Sequence, residues 1–181
     1  MVAGVLGEDS ADFLMQNKQV FPHGEKEIEL VFKQLKNHRY IYTTSCGRIL
    51  DAAAAILGLC YRRTYEGEPA RKLEAAAHKG RDVLQLKPVI KNDVIDTSTL
   101  LHILFEYRDR YNPMDLAYSA EEYLSQGLAT LAVEQAEKNG IKHVGFSGGC
   151  AYNKHLLTRI KEMVKNAGLI FLQHEKVPPG D

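Results

Sequence analysis

The switch of hydrophobic period between Lys142 and Leu172 restricts the fold more than any other feature of this chain. Lys142-His143-Val144-Gly145-Phe146 reads as a strand, Ser147-Gly148-Gly149 as a tight turn, and from Asn153 the residues Leu156, Ile160, Met163, Val164 and Ala167 share one face of a helix. Gly168 breaks that helix, and Leu169-Ile170-Phe171-Leu172 reads as a second, buried strand. Strands joined through a helix run parallel with a right-handed crossover, because a twisted strand feeding a helix packs back onto the sheet only that way. The fold class is therefore α/β, a parallel or mixed sheet flanked by helices.

Upstream, helical stripes dominate. The first two dozen residues, as far as Phe21-Pro22-His23-Gly24, lack periodicity and read as an irregular entry segment. From Glu25 the residues Ile28, Val31, Phe32 and Leu35 predict a helix, and Tyr40-Ile41-Tyr42-Thr43 a short strand. Thr44 or Ser45 caps a helix with the stripe Ile49, Leu50, Ala53, Ile56 and Leu57, ending at Gly58. Pro69 opens another that carries Leu73, Ala76 and Ala77, with Gly80 beyond its end. After a mixed segment around Lys87-Pro88, a helix capped near Thr97 or Ser98 carries Leu101, Leu104 and Phe105. A longer helix opens at Asn112-Pro113 and closes at Asn139-Gly140.

Bulk properties narrow the function classes. With 181 residues the chain can bury roughly 70% of its unfolded surface, enough for a core without staples. Lys plus Arg and Asp plus Glu both number 23, so no global field draws in nucleic acid or an anionic membrane. The cysteines Cys46, Cys60 and Cys150 are odd in number and widely spaced, which suggests neither a disulfide framework nor a zinc knuckle and fits a reducing cytoplasm. Seven histidines occur without a His-x-x-x-His pair, so a self-contained metal site is not expected. No apolar run approaches the roughly 20 residues that span a bilayer.

Chemistry concentrates at the Phe146–Asn153 turn. Glycines at the C-terminal end of a strand let a ligand approach bare backbone, and the following helix N-terminus favours an anion, which points to a nucleotide. Equally, Gly148-Gly149 can simply make a tight turn, and Asn153 can simply cap the helix. Asp51 lies off its helix's apolar stripe, where it can accept from ribose hydroxyls or stand as a solvated carboxylate near a helix N-terminus. Cys46 and Cys150 each lie near a predicted helix start, where a thiolate is stabilised, but no His or Asn partner is identifiable and small buried cysteines are common. No catalytic residue is assigned.

From about Tyr42 onward, four segments resemble one family in order and spacing. Thr44-Ser45-Cys46-Gly47-Arg48-Ile49-Leu50-Asp51-Ala52-Ala53 is similar to a Ser-x-Gly-Arg-hydrophobic-x-Asp-Ala helix start, and Thr64-Tyr65-Glu66-Gly67-Glu68-Pro69-Ala70 to a Tyr-Glu-Gly turn. Ser147-Gly148-Gly149 with Asn153 resembles a Ser-Gly-Gly-x-x-x-Asn element, and Pro178-Pro179-Gly180-Asp181 a Pro-Pro-Gly-Asp element. The family is HypF, the carbamoyltransferase of nickel–iron hydrogenase maturation, whose transfer domain belongs to the actin/sugar-kinase/Hsp70-like (ASKHA) superfamily.

The resemblance implies an incomplete ASKHA domain, with residues 1–38 as an entry segment and helix and residues 39–181 as its second lobe. It implies ATP and carbamoyl adenylate, the latter made by another domain, as ligands, and carbamoyl transfer to the C-terminal cysteine of the partner HypE. Asp51, Gly67, Gly148, Gly149 and Asn153 would bind the nucleotide, and Asp181 would ligate a divalent metal, iron or zinc. The family's metal-binding histidine pair lies in a half of the domain that this chain lacks, the Gly-Gly that follows the terminal Asp is absent, and Lys72 stands where relatives carry an acidic residue. The resemblance thus leads to an expectation of a truncated chain with weak or no transferase activity by itself. Two alternatives stand beside it: a relative of the tRNA threonylcarbamoyl-transferring family, and a non-catalytic lobe that binds nucleotide or a partner.

Overall fold

The computed structural model describes residues 1–180; Asp181, and with it the metal-ligand expectation placed there, lies outside the described residues. Helices α1 (Val2–Leu6), α2 (Ala11–Gln16) and α3 (Glu25–Lys36) lead into α4 (Cys46–Ile56) and α5 (Glu68–Ala77). A hairpin of β1 (Ile90–Lys91) and β2 (Val94–Ile95) precedes α6 (Thr97–Tyr107) and the long α7 (Pro113–Lys138). Then β3 (His143–Gly145), α8 (Lys154–Asn166) and β4 (Ile170–Leu172) form the βαβ unit, β3 and β4 pairing in parallel with Val144 opposite Phe171.

The 26-residue helix α7 is the spine, roughly 39 Å long at 1.5 Å per residue. Asn112 starts it by accepting from the Met114 N–H at 2.9 Å, and Pro113 occupies the first turn, where its missing N–H costs nothing. Against it pack α4, α5, α6 and α8. Leu100, Leu101 and Leu104 of α6, Leu73 of α5, Leu116 of α7 and Leu156 of α8 are all fully buried. Each such side chain contributes about 2 kcal/mol of transfer free energy, so these faces fix the helix orientations.

Side chains of α7 also hold down the loop between α5 and α6. Ser119 Oγ accepts from the Val83 and Leu84 N–H groups and donates to Asp82 at 2.7 Å. Tyr123 accepts from the Val89 N–H at 3.1 Å and donates to the Asp96 carbonyl at 2.8 Å. Otherwise unpaired backbone groups are thereby satisfied from the helix. The close approach leaves no room at two glycines: a Cβ on Gly127 would meet the Ile95 side chain at 3.0 Å, and one on Gly80 would overlap the Met114 carbonyl.

Several local expectations change, among them the burial of β4, where Ile170 and Leu172 are each 51% exposed because one face of the strand has no element packed on it among the described residues. The first two dozen residues are short helical turns, and Ala3 and Leu6 are buried, because those few apolar contacts organise helices too short to show a period. Tyr40–Thr43 forms no strand; Ile41 is 96% exposed, and no second strand lies beside it to pair with. The segment near Pro88 contains the β1–β2 hairpin, whose connecting Asn92 and Asp93 both have positive φ, the geometry of a tight hairpin turn. Asp96, rather than Thr97 or Ser98, caps α6, accepting from both the N–H and the hydroxyl of Thr99.

Replacing Gly80 with alanine is expected to force the α5–α6 loop off the start of α7, costing about 1–3 kcal/mol. Gly149→Ala, with nothing within 4 Å of the new Cβ, should leave stability unchanged. Paired thermal melts of the two variants check this.

Candidate functional site

The turn after β3 is open to solvent. Ser147, Gly148 and Gly149 are exposed, and Gly148 adopts φ 90°, ψ 178°, a conformation that side chains disfavour. Among the described residues no acceptor is found for the Gly149 and Cys150 N–H groups. The Gly148 N–H, by contrast, is taken by the Pro179 carbonyl at 2.6 Å, which also accepts from the Ser147 hydroxyl at 3.0 Å. With that hydroxyl hydrogen committed, His174 Nε2–H is the donor in the 2.9 Å bond to Ser147 Oγ. Tyr152 donates to the Gly180 carbonyl at 3.2 Å, and Gly180 lies flat on Gly148 and Gly149, where a Cβ would come within 3.1 Å of their backbone. The Pro-Pro-Gly segment is thus laid across one side of the turn.

The N-terminus of α8 is occupied by the chain's own groups. Asn153 is 6% exposed, and its Oδ1 accepts from the Leu156 N–H at 2.9 Å, a helix cap. The neighbouring Lys154 N–H goes to Glu74 of α5 at 2.8 Å. Asn153 Nδ2 donates to Glu121 Oε1 of α7 at 2.6 Å. Both ends of the Asn153 amide are therefore engaged inside the protein.

Glu121 and Glu122 are adjacent on α7 yet differ in environment. Glu121 is 0% exposed; desolvation, aided by the Glu74 carboxylate and opposed by the Asn153 hydrogen bond, pushes its pKa up to about 8. Its Oε2 has no hydrogen-bond partner among the described residues, and His155 Nδ1 lies 3.6 Å from it. Desolvation raises Glu122 too, but hydrogen bonds from Gln126, Arg159 and His155 outweigh it and hold the carboxyl below its ordinary value. The pattern that could have flagged Glu121 in the sequence is its place beside Ala120 and Leu124 on the buried stripe.

The N-terminus of α4 faces the turn from the other side. Gly47 lies against Cys150, whose Sγ would sit 3.7 Å from a Cβ there, and the Asp51 carboxylate is close enough to act on the Cys150 thiol. Asp51 itself is paired with Arg48 at 3.2 Å. The structure therefore brings Asp51 to the Gly148-Gly149 side of the molecule. Gly67 is more distant in character: it is the left-handed residue that opens α5, φ 76°, seven residues or roughly 10 Å of helix before Glu74. Its turn is held by Glu68, whose carboxylate accepts from the Thr64 N–H, from Lys72 at 2.9 Å and from the Thr64 hydroxyl at 2.9 Å, and is lowered to about 2. Lys72, the departure from the family pattern, is thus tied to Glu68. Among the described residues no three His, Cys, Asp or Glu side chains converge as a metal-ligand set, and Asp181, the expected ligand, lies outside them.

Because the folded pKa of Glu121 lies above its unfolded value, its contribution to stability is full below the unfolded pKa and is lost as pH rises through about 8. Glu121→Gln keeps an acceptor for Asn153 and removes the charge. The variant should match the parent near pH 5 and exceed it near pH 9, by on the order of a few kcal/mol, in denaturant unfolding curves.

Known proteins share this fold. Residues 1–181 match the family model for the second subdomain of the carbamoyltransferase Kae1-like domain. A probable carbamoyltransferase HypF from Methanocaldococcus jannaschii is 36% identical over 178 residues, covering 97% of this chain and 23% of that protein. The crystal structure of HypF from T. kodakarensis superposes with a TM-score of 0.87 at 33% identity, covering 99% of this chain and 24% of that one. A full-length HypF in a phosphate- and nucleotide-bound form superposes with a TM-score of 0.79 at 22% identity, covering 99% and 24%, a likeness of fold. The chain thus spans about a quarter of the length of these proteins. It belongs to the HypF carbamoyltransferase family, as the second subdomain of the Kae1-like domain.

Proposed function

We propose that this subdomain forms one wall of an adenine-nucleotide site in a HypF-type protein, serving carbamoyl transfer from carbamoyl adenylate to the C-terminal cysteine of HypE in hydrogenase maturation. The observation that carries the reading is the exposed turn at the end of β3, whose Gly149 and Cys150 N–H groups have no acceptor among the described residues, with Asp51 approaching from α4. Donors fixed in a folded turn suit the adenylate phosphate, because they meet its charge without reorganising during the reaction. Asp51 suits the ribose hydroxyls as an acceptor, with Arg48 holding its orientation. Asn153, engaged on both sides, serves by fixing the first turn of α8 under the glycines.

The nucleotide-bound form of a fold neighbour supports placing ATP or carbamoyl adenylate in this family's cleft. In the transfer step the HypE thiolate attacks the carbamoyl carbon, a C–S bond forms, the C–O bond to phosphate breaks and AMP leaves. The part assigned to this chain is to hold the phosphate end while that bond breaks. A cytoplasmic setting fits the free cysteines, and no helix among the described residues is long and apolar enough to cross a membrane.

Calorimetric titration with AMP and ATP tests the reading. Binding to the parent chain is expected, and Gly149→Asp, which has open space for its side chain, should weaken it at least about tenfold, equivalent to 1.4 kcal/mol, by setting a carboxylate against the phosphate. Equal affinity in the two proteins would overturn the assignment.

A further inference from the structure

Of the three cysteines, two meet. Cys46 opens α4 and Cys150 follows the Gly148-Gly149 turn; both are half-buried, and their thiols lie within hydrogen-bonding reach of each other. The backbones of α4 and of the 3₁₀ turn Gly149–Tyr152 approach closely at this point. Gly47 permits the approach, because its missing side chain leaves Cys150 Sγ in ordinary contact with the start of α4. Cys60 is apart from the pair: it is buried, and its thiol donates to the Arg62 carbonyl at 3.4 Å.

We propose that Cys46 and Cys150 form a reversible disulfide site, oxidised by low-molecular-weight disulfides, that tethers the start of α4 to the glycine turn. The two thiols are not equivalent. The hydrogen bond from Cys46 lowers the Cys150 thiol to about 7 against the effects of burial and Asp51. The same bond, with burial and the Glu121 carboxylate, drives Cys46 upward. Such asymmetry assigns Cys150 as the attacking thiolate. It displaces one thiolate from the oxidant and forms a mixed disulfide. Cys46 then loses its proton to solvent and attacks the Cys150 sulfur, releasing the second thiolate. Two protein thiols are oxidised to one disulfide, and one small disulfide is reduced to two thiols, so the electrons balance.

The bond would join two elements that no backbone hydrogen bond links, and would fix how far Asp51 stands from the exposed amides. Reversibility is expected because both residues are only half-buried, which would leave the bond open to reducing thiols.

The test uses the folded chain in oxidised glutathione, then quenching, alkylation and peptide mapping. The expected result is loss of the mass of two hydrogens, one remaining alkylatable thiol at Cys60, and a peptide pair joined through Cys46 and Cys150, all reversed by dithiothreitol. Cys46→Ser should stop at a glutathione adduct on Cys150. Absence of an internal bond in excess oxidant, or pairing through Cys60, would overturn the proposal. The readout needs no nucleotide, so failure of the nucleotide reading and failure of this one are separately visible.

Discussion

The end of the glycine turn is tied directly to α7 by a buried hydrogen bond, from Asn153 Nδ2 to the Glu121 carboxyl. Asn153 links two tasks, because its other amide atom caps α8. The stretch between β3 and α8 is therefore anchored at its far end to α7, the longest of the described helices. Removing either partner would leave a polar group without its mate in a region that water does not reach, which costs more than the net worth of an ordinary hydrogen bond.

Glu121 and Glu122 illustrate how position divides two identical side chains. Glu122 reaches Arg159, His155 and Gln126, and retains its charge. Glu121 points inward, where one amide donor does not compensate for lost hydration. A similar contrast separates Glu68, surrounded by donors in the Thr64–Glu68 turn. The carboxylates that shape this region do so mainly by holding backbone and amide groups in place.

Much of this architecture was legible in sequence where local rules decide. Asn112-Pro113, the glycines at 58, 140 and 168, and the β3–turn–α8–β4 period all correspond to observed caps, breaks and strands. The unread features depend on tertiary proximity. The place of Glu121 on the buried stripe of α7 hints at burial but does not name its partner Asn153, and Cys46 and Cys150 are neighbours only because α4 and the turn pack together. Asn92-Asp93 was a readable hairpin signal hidden by the very short strands beside it. The helical dipole of α8, readable as an anion site, is partly claimed by Glu74 from another helix. Asp51 does come to the turn's side of the molecule, whereas the other end of α5 is what carries Gly67.

The Pro179 carbonyl holds both the Gly148 N–H and the Ser147 hydroxyl. That oxygen belongs to the same chain, 32 residues beyond Ser147 and held there by the fold, so it acts as a tethered competitor with a local concentration far above that of a free solute. An incoming acceptor gains little by contesting those two donors and more by accepting from Gly149 and Cys150. The segment that lies over the turn thereby engages two of its four donors and leaves the other two without an acceptor among the described residues, which would set the side from which an anion could approach.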